Sequence, residues 1–439
     1  MNNMKKLFCL LLALVMTLGM VACGGESTPA TEAPKAEEPV VAQTDASGAK
    51  IYDGVKLVYW SNWEAVETQG QLITEAVNEF MAETGAEVDL QFKGRSGIKE
   101  GLIPALDADQ QVDLFDGAGN KSNYGDRIIS VEDLMSDEYE ASGNAAMMAL
   151  CRSYYADGQT REVPYQMKGN GVFYNKDLFA QAGIDFVPAN WADFVKACEM
   201  LKAAGITPLT TDDAYTPQQF GIHLARMIGT DATKAVVNDG LWAETPEVLA
   251  TAQAIEGLAK AGYYSDLVAS NAFPTGQNTE FATGMVAMYV NGSWLPNEIR
   301  NITGDAFNWG FFNYPEVDGG INGTEAMVIG CQSFAITNKC QNTEAAFALI
   351  EKITRGTWDA KLAAGTLGLP IDNANTEWPV QLMDCKPYFD ACTEIFAVSG
   401  GLENNADITP SLKPNLAKLY AGQITADEFV AAMETASQG

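Results

Sequence analysis

Two short stretches place indole rings beside hydrogen-bonding groups. Trp60-Ser61-Asn62-Trp63-Glu64 closes an apolar run over residues 55–60, and Asn291-Gly292-Ser293-Trp294 closes another over residues 285–290. An indole offers a flat apolar face at little entropic cost, and neighbouring carboxylates make charge-assisted hydrogen bonds. That chemistry is non-covalent recognition. Bond-breaking chemistry is harder to place. The single histidine, His223, sits on the apolar side of "FGIHLARMIG" with Phe220, Leu224 and Met227, a structural position. One histidine rules out an H-E-x-x-H zinc site, and no G-x-S-x-G elbow occurs. "DGAGNKS" misplaces the glycines and lysine of a phosphate loop, and "DADQQVDLFDG" lacks the glycine and closing glutamate of a calcium loop. Neither a metal nor a cofactor is expected. A glycosidase needs only two carboxylates, and Glu64 with Asp116 or Asp212 would supply them.

The elements that must position these residues alternate. "VKLVYW" reads as a strand, and Leu72, Ile73, Ala76, Val77 and Phe80 recur at helical spacing up to Gly85. "EVDLQF" alternates as a half-buried strand, and a further helix precedes "VDLF". This order implies parallel strands with helices on both faces. Farther on, Asn190 caps "WADFVKACEMLKAAG", Pro246 opens a helix after Thr245, and Thr425 with Glu428 forms a capping box. Open α/β sheets bind ligands beyond the carboxyl ends of their strands. The candidates at those ends are Trp60, Asn62, Trp63, Glu64, Asp116, Asn120, Tyr165, Gln166, Asp212, Asp213, Asn291, Ser293 and Trp294; Trp242 is a further candidate near the cleft. The set is aromatic, acidic and amide-rich, with only Lys168 and Arg161 as nearby cations. It suits an uncharged ligand with an apolar face and a rim of hydroxyls, a carbohydrate. A polyamine is the alternative that acidic and aromatic pockets also accept.

The N-terminus has a different character. Lys5 and Lys6 precede the apolar run 7–22, too short to span a bilayer comfortably, and Cys23 follows. Residues 1–22 read as a secretory signal. Met20-Val21-Ala22-Cys23 resembles a bacterial lipobox with Met in the usual Leu position, so Cys23 is the expected lipidation site. Residues 24–50 hold no aromatic and are rich in Ala, Pro, Thr, Glu and Gly, and as a flexible tether they would span roughly 30 Å. Membrane contact is then through the lipid anchor alone. The net charge of −30 repels nucleic acid and anionic lipid. Of eight cysteines, six lie beyond Cys23, without a C-x-x-C pair; their disulfide pairing is left open by sequence.

"GVFYNKDLFAQAGI", "ANWADFVKACEMLKAAG", "EFATGMVAMYVNGSW" and "FAITNKCQNTEAAFALIEKIT", in that order, resemble the family 1 extracellular solute-binding proteins of ABC importers, as does the closing "GQITADEFVAAMETA". The resemblance implies a two-lobed α/β fold of the periplasmic-binding-protein type II kind. Each lobe would be a mostly parallel sheet flanked by helices, with a hinge between. It divides the chain into residues 51–172 plus 331–370 as one lobe and 173–330 plus 371–439 as the other. It also implies crossings near Gly171 to Asn175 and Met327 to Cys331, a stacking role for Trp294, a permease partner, a monomer and no catalysis. Ligand-driven closure would bias an existing hinge equilibrium.

Overall fold

Apolar runs and helical periodicities become nine strands and their flanking helices in the computed structural model, which describes residues 41–438 except 47 and 305. The signal segment and Cys23 lie outside the described residues. The strands are β1 (Lys56–Ser61), β2 (Glu87–Phe92), β3 (Leu114–Ala118), β4 (Val163–Asn175), β5 (Thr207–Thr210), β6 (Val286–Gly292), β7 (Trp309–Phe312), β8 (Ala326–Ile336) and β9 (Glu394–Phe396). They are ordered β2-β1-β3-β8-β4-β6-β5, with β7 on β4 and β9 on β8.

The expected parallel pairing appears where β1 meets β2 and β3, where β5 meets β6, and where β9 meets β8. The middle of the sheet is antiparallel: β8 runs against both β3 and β4, and β4 against β6 and β7. The reason lies in two long strands, β4 and β8, which contain the crossings that the family resemblance implies near Gly171 to Asn175 and Met327 to Cys331. They pair from Val163↔Phe334 to Asn170↔Val328. A strand that carries the chain out and one that brings it back necessarily run in opposite directions.

Along this ladder the packing changes partners. Near one end, Val163, Tyr165, Phe334 and Ile336 join Tyr59, Ile73, Phe80 and Ile350, while Ala335 faces Leu102 and Phe115 on the other side of the sheet. Toward the other end, Val172, Tyr174 and Val328 join Phe194, Phe220, Leu416 and Phe429; Phe173, Met327 and Ile329 face Phe281, Tyr289 and Phe311. Side chains alternate across a strand, so each half of the ladder has helices on both faces. The result is a two-lobed α/β protein.

Local signals act as their chemistry requires. The helix Thr68–Thr84 ends at Gly85, whose φ of 82° is left-handed and whose N–H reaches the Met81 carbonyl at 3.0 Å. Asn190 accepts from the Asp193 N–H at 2.9 Å. Thr245 makes no side-chain cap, and Pro246 alone opens its helix. Gln43, read from sequence as part of the tether, is held instead: its N–H donates to the Glu83 carbonyl at 2.9 Å and its carbonyl accepts the Ile51 N–H at 3.1 Å. Backbone pairing with a helix end supplies there what apolar side chains do not.

In the last helix, Ala426–Ser437, the Thr425 hydroxyl accepts from the Glu428 N–H at 3.2 Å and the Glu428 carboxylate accepts from the Thr425 N–H at 2.8 Å. Thr425→Ala should lower the unfolding free energy by about 1 kcal/mol, measured by denaturant titration; an unchanged midpoint would show that the cap contributes nothing.

Candidate ligand-binding site

A cavity of about 910 Å³ opens beyond the carboxyl ends of β1 and β6 and over the middle of β4 and β8. Its place follows from the ladder: the packing switches from one set of helices to the other there, so no helix covers the strands.

On one side the wall is Asn62 and Trp63, the residues after β1. Their position is fixed from behind. The Trp63 indole N–H donates to the Tyr165 hydroxyl at 2.8 Å, and that hydroxyl donates to Asp116 at 2.7 Å. The other Asp116 oxygen accepts the Asn62 backbone N–H at 2.6 Å. Asp116 and Tyr165 are fully buried, and burial raises the Asp116 carboxyl above its ordinary range. The Arg95 guanidinium lies 4.6 Å from the Trp63 ring centre and is gripped by Glu67 through two bonds of 2.5 and 2.7 Å.

The floor comes from the ladder. A register shift between Tyr165 and Met167 marks a bulge, where Gln166 takes a φ of 46° and donates to the Thr366 hydroxyl at 2.8 Å. Lys168 and Gln332 complete it. Lys168 has no hydrogen-bond or ion-pair partner among the described residues; its ammonium lies 5.8 Å from the Trp294 ring centre, and burial pulls its pKa down to about 8.

The opposite wall holds Ser293, Trp294, Tyr215, the Phe273–Thr275 loop, and Asn297 and Glu298 of the helix Leu295–Thr303. Trp294 lies back over Gly292, where a Cβ would meet the indole Cζ3 at 2.1 Å. Only glycine leaves room for the ring. Asp212 accepts from the Ala214 and Tyr215 N–H groups at 2.7 and 2.8 Å and from the Tyr289 hydroxyl at 2.7 Å, so it holds Tyr215 in place. Asp213 accepts the Phe273 N–H at 2.8 Å and pins the loop. Asn278 donates to Glu298 at 3.3 Å, and enclosure by protein pushes the Glu298 carboxyl up to about 7.

Five of the sequence candidates line this cavity together: Asn62, Trp63, Gln166, Ser293 and Trp294. The others do not. Asp116, Tyr165 and Asp212 stand behind the wall because their oxygens are used by backbone N–H and side-chain donors. Asp213 holds the loop from outside, and Asn291 is buried with its amide oxygen on the Gly292 N–H. Trp60 turns to the core, with the Lys93 ammonium 4.1 Å from its ring centre. Trp242 is sealed against Phe429 and donates to Ser437 at 2.8 Å. Glu64 and Asn120 are exposed but off the lining, and Asn120 accepts from Ser122 instead. The carboxylate pairs offered for glycoside hydrolysis, Glu64 with Asp116 or Asp212, therefore do not meet in the cavity. Arg161 is bound to Asp157 at 2.8 and 2.7 Å and is also off the lining. His223 is buried, in contact with the Tyr314 hydroxyl at 3.2 Å, and burial lowers its pKa to about 3.

Arg95, Glu67, Asn278, Glu298 and Gln332 were missed. Gln332 carried a readable signal, a lone amide in the apolar strand "AMVIGCQSFAI". Its Oε1 and the Oδ1 of Asn278 are buried without a partner. Such acceptors are costly to leave unpaired.

A two-lobed α/β molecule with an aromatic, polar cavity across its connecting strands is a binding protein of the ligand-capturing class. The model of the bacterial extracellular solute-binding protein family matches residues 64–355, and the chain belongs to that family. A binding protein of Brucella abortus is 26% identical over 272 residues, 61% of this chain and 64% of that protein. The diacetylchitobiose binding protein DasA of Streptomyces coelicolor is 25% identical over 232 residues, 51% of this chain and 48% of that one. The chain thus spans less than two thirds of the length of these relatives. Among solved structures, a chitin oligosaccharide binding protein superposes with a TM-score of 0.71 at 20% identity, covering 88% of this chain and 98% of that one. The relatives named here are binding proteins.

Tyr165→Phe removes the hydroxyl that joins Trp63 to Asp116. It should lower unfolding free energy by about 1–3 kcal/mol and weaken ligand binding, although the hydroxyl lies behind the wall. Denaturant titration and calorimetry check both; wild-type values in each would show that the chain of bonds positions nothing.

Proposed function

We propose that the protein captures an uncharged mono- or oligosaccharide in this cavity and delivers it to the permease of an ABC importer. The observation that carries this reading is the composition of the lining. Trp63 and Trp294 supply apolar faces, amides and hydroxyls supply a polar rim, and the charges of Glu67 and Glu298 are balanced by Arg95 and Lys168. A polyamine would call for an acidic surplus, which this lining lacks. The volume lies at the upper end of ordinary ligand pockets, which suits more than one sugar ring. The saccharide names carried by DasA and the chitin oligosaccharide binding protein support the same class.

In this reading residues 51–172 with 331–370 form one lobe, and 173–330 with 371–439 the other; they close on the ligand about β4 and β8. The chain works as a monomer outside the cell, and lipid on Cys23 holds it at the membrane. Among the described residues no helix is long and apolar enough to cross a bilayer.

Calorimetry on the purified protein with mono-, di- and oligosaccharides beside polyamines tests the ligand class. A bound saccharide at 100 times its Kd adds about 2.7 kcal/mol of stability; stabilisation by polyamines alone would overturn the proposal. Trp294→Ala should weaken the best saccharide at least about tenfold, or 1.4 kcal/mol, without unfolding the protein; unchanged affinity would remove Trp294 from the site.

A further inference from the structure

The sequence left the cysteines unpaired, and the fold brings two of them together from 180 residues apart. Cys151 sits on the helix Ala145–Ser153, and Cys331 on β8 opposite Met167 of β4. Both are buried, and their sulfurs are 3.7 Å apart. A disulfide needs about 2.05 Å between sulfurs, so closing the gap asks for about 1.7 Å of side-chain movement. None of the other four described cysteines hydrogen-bonds to a second thiol; Cys392 donates to the Glu394 carbonyl instead.

We infer that Cys151 and Cys331 form a structural disulfide that fastens this helix to β8, beside the cavity residue Gln332. An extracellular protein folds where disulfides form and persist. The bond is made by exchange with an oxidised dithiol, glutathione disulfide or an oxidoreductase. One thiolate attacks the reagent's disulfide and releases a thiol; the second thiolate then attacks the mixed disulfide and releases the other. Two cysteine thiols are oxidised, one disulfide is reduced to two thiols, and the protons stay with those thiols. Once the chain has folded, the hydrogen bond to Cys331, and then burial, hold the Cys151 thiol well above its usual range. Few thiolates are then present to attack, which assigns the exchange to folding rather than to the finished protein.

The test refolds the purified full chain from denaturant in a glutathione buffer with excess glutathione disulfide. Free thiols are then alkylated without reductant, and the digest is mapped by mass spectrometry. The expected product is a peptide joining Cys151 to Cys331, with a Tm about 5 °C above that of the reduced protein. Cys331→Ser should abolish the linked peptide and the Tm difference, whereas Cys340→Ser should leave both. Should Cys331→Ser fail to fold, the wild-type map decides alone. Alkylation of both cysteines after oxidative refolding, or linkage of either to a different cysteine, overturns the inference.

Discussion

The antiparallel contact between β4 and β8 is the constraint on which the rest depends. These strands carry the chain between two separately packed halves, so the cavity can exist only where they lie bare. A buried network braces one end. Lys121 and Glu162, both buried, are 3.6 Å apart, and the Ser333 hydroxyl donates to Glu162 at 2.6 Å. The Lys121 backbone N–H reaches the same carboxylate at 2.5 Å, and the Tyr155 hydroxyl at 2.8 Å. Breaking a buried pair of this kind is strongly destabilising because it leaves a charge unpaired. The network therefore keeps the loop after β3, the start of β4 and the end of β8 in one register.

From that fixed ladder the site is built in two layers. The inner layer faces the cavity and is aromatic, amide and hydroxyl, with two acidic and two basic side chains among it. The outer layer is acidic, and its carboxylates are spent on the protein: Asp116 on Asn62 and Tyr165, Asp212 on the turn that holds Tyr215, Asp213 on the Phe273 loop. Glu280 belongs to it as well, accepting from Thr210 and Asn271 at 2.7 Å each. Strong acceptors behind the wall make the donors in front rigid, which reduces the ordering that a ligand must impose.

This layering explains what the sequence did and did not reveal. Strand ends and helix caps were legible because each rests on local periodicity or on a cap residue, whereas the crossings on β4 and β8 came from the family resemblance. Trp63 was legible as a cavity residue because it lies past the end of β1, and Trp294 because the family resemblance implies a stacking ring there; both line the cavity. Asp116 falls within β3 and Asp212 follows β5, and both carboxylates are taken by backbone N–H groups and tyrosine hydroxyls instead of facing the cavity. Glu298 and Asn278 lie on helices whose polar faces look like solvated surface until the second wall is in place. Arg95 and Glu67 come together across 28 residues, a juxtaposition that spacing does not encode.

The central claim is that Trp63 and Trp294, out of eight tryptophans, form the two apolar walls that grip a saccharide. Nitrogen-15 labelling of the indoles reads this directly, since each side chain gives its own N–H resonance. Titration with a bound saccharide should move the resonances of Trp63 and Trp294 and leave that of Trp242, sealed against Phe429 and Ser437, in place. A saccharide that binds while both wall resonances stay still would contradict the account.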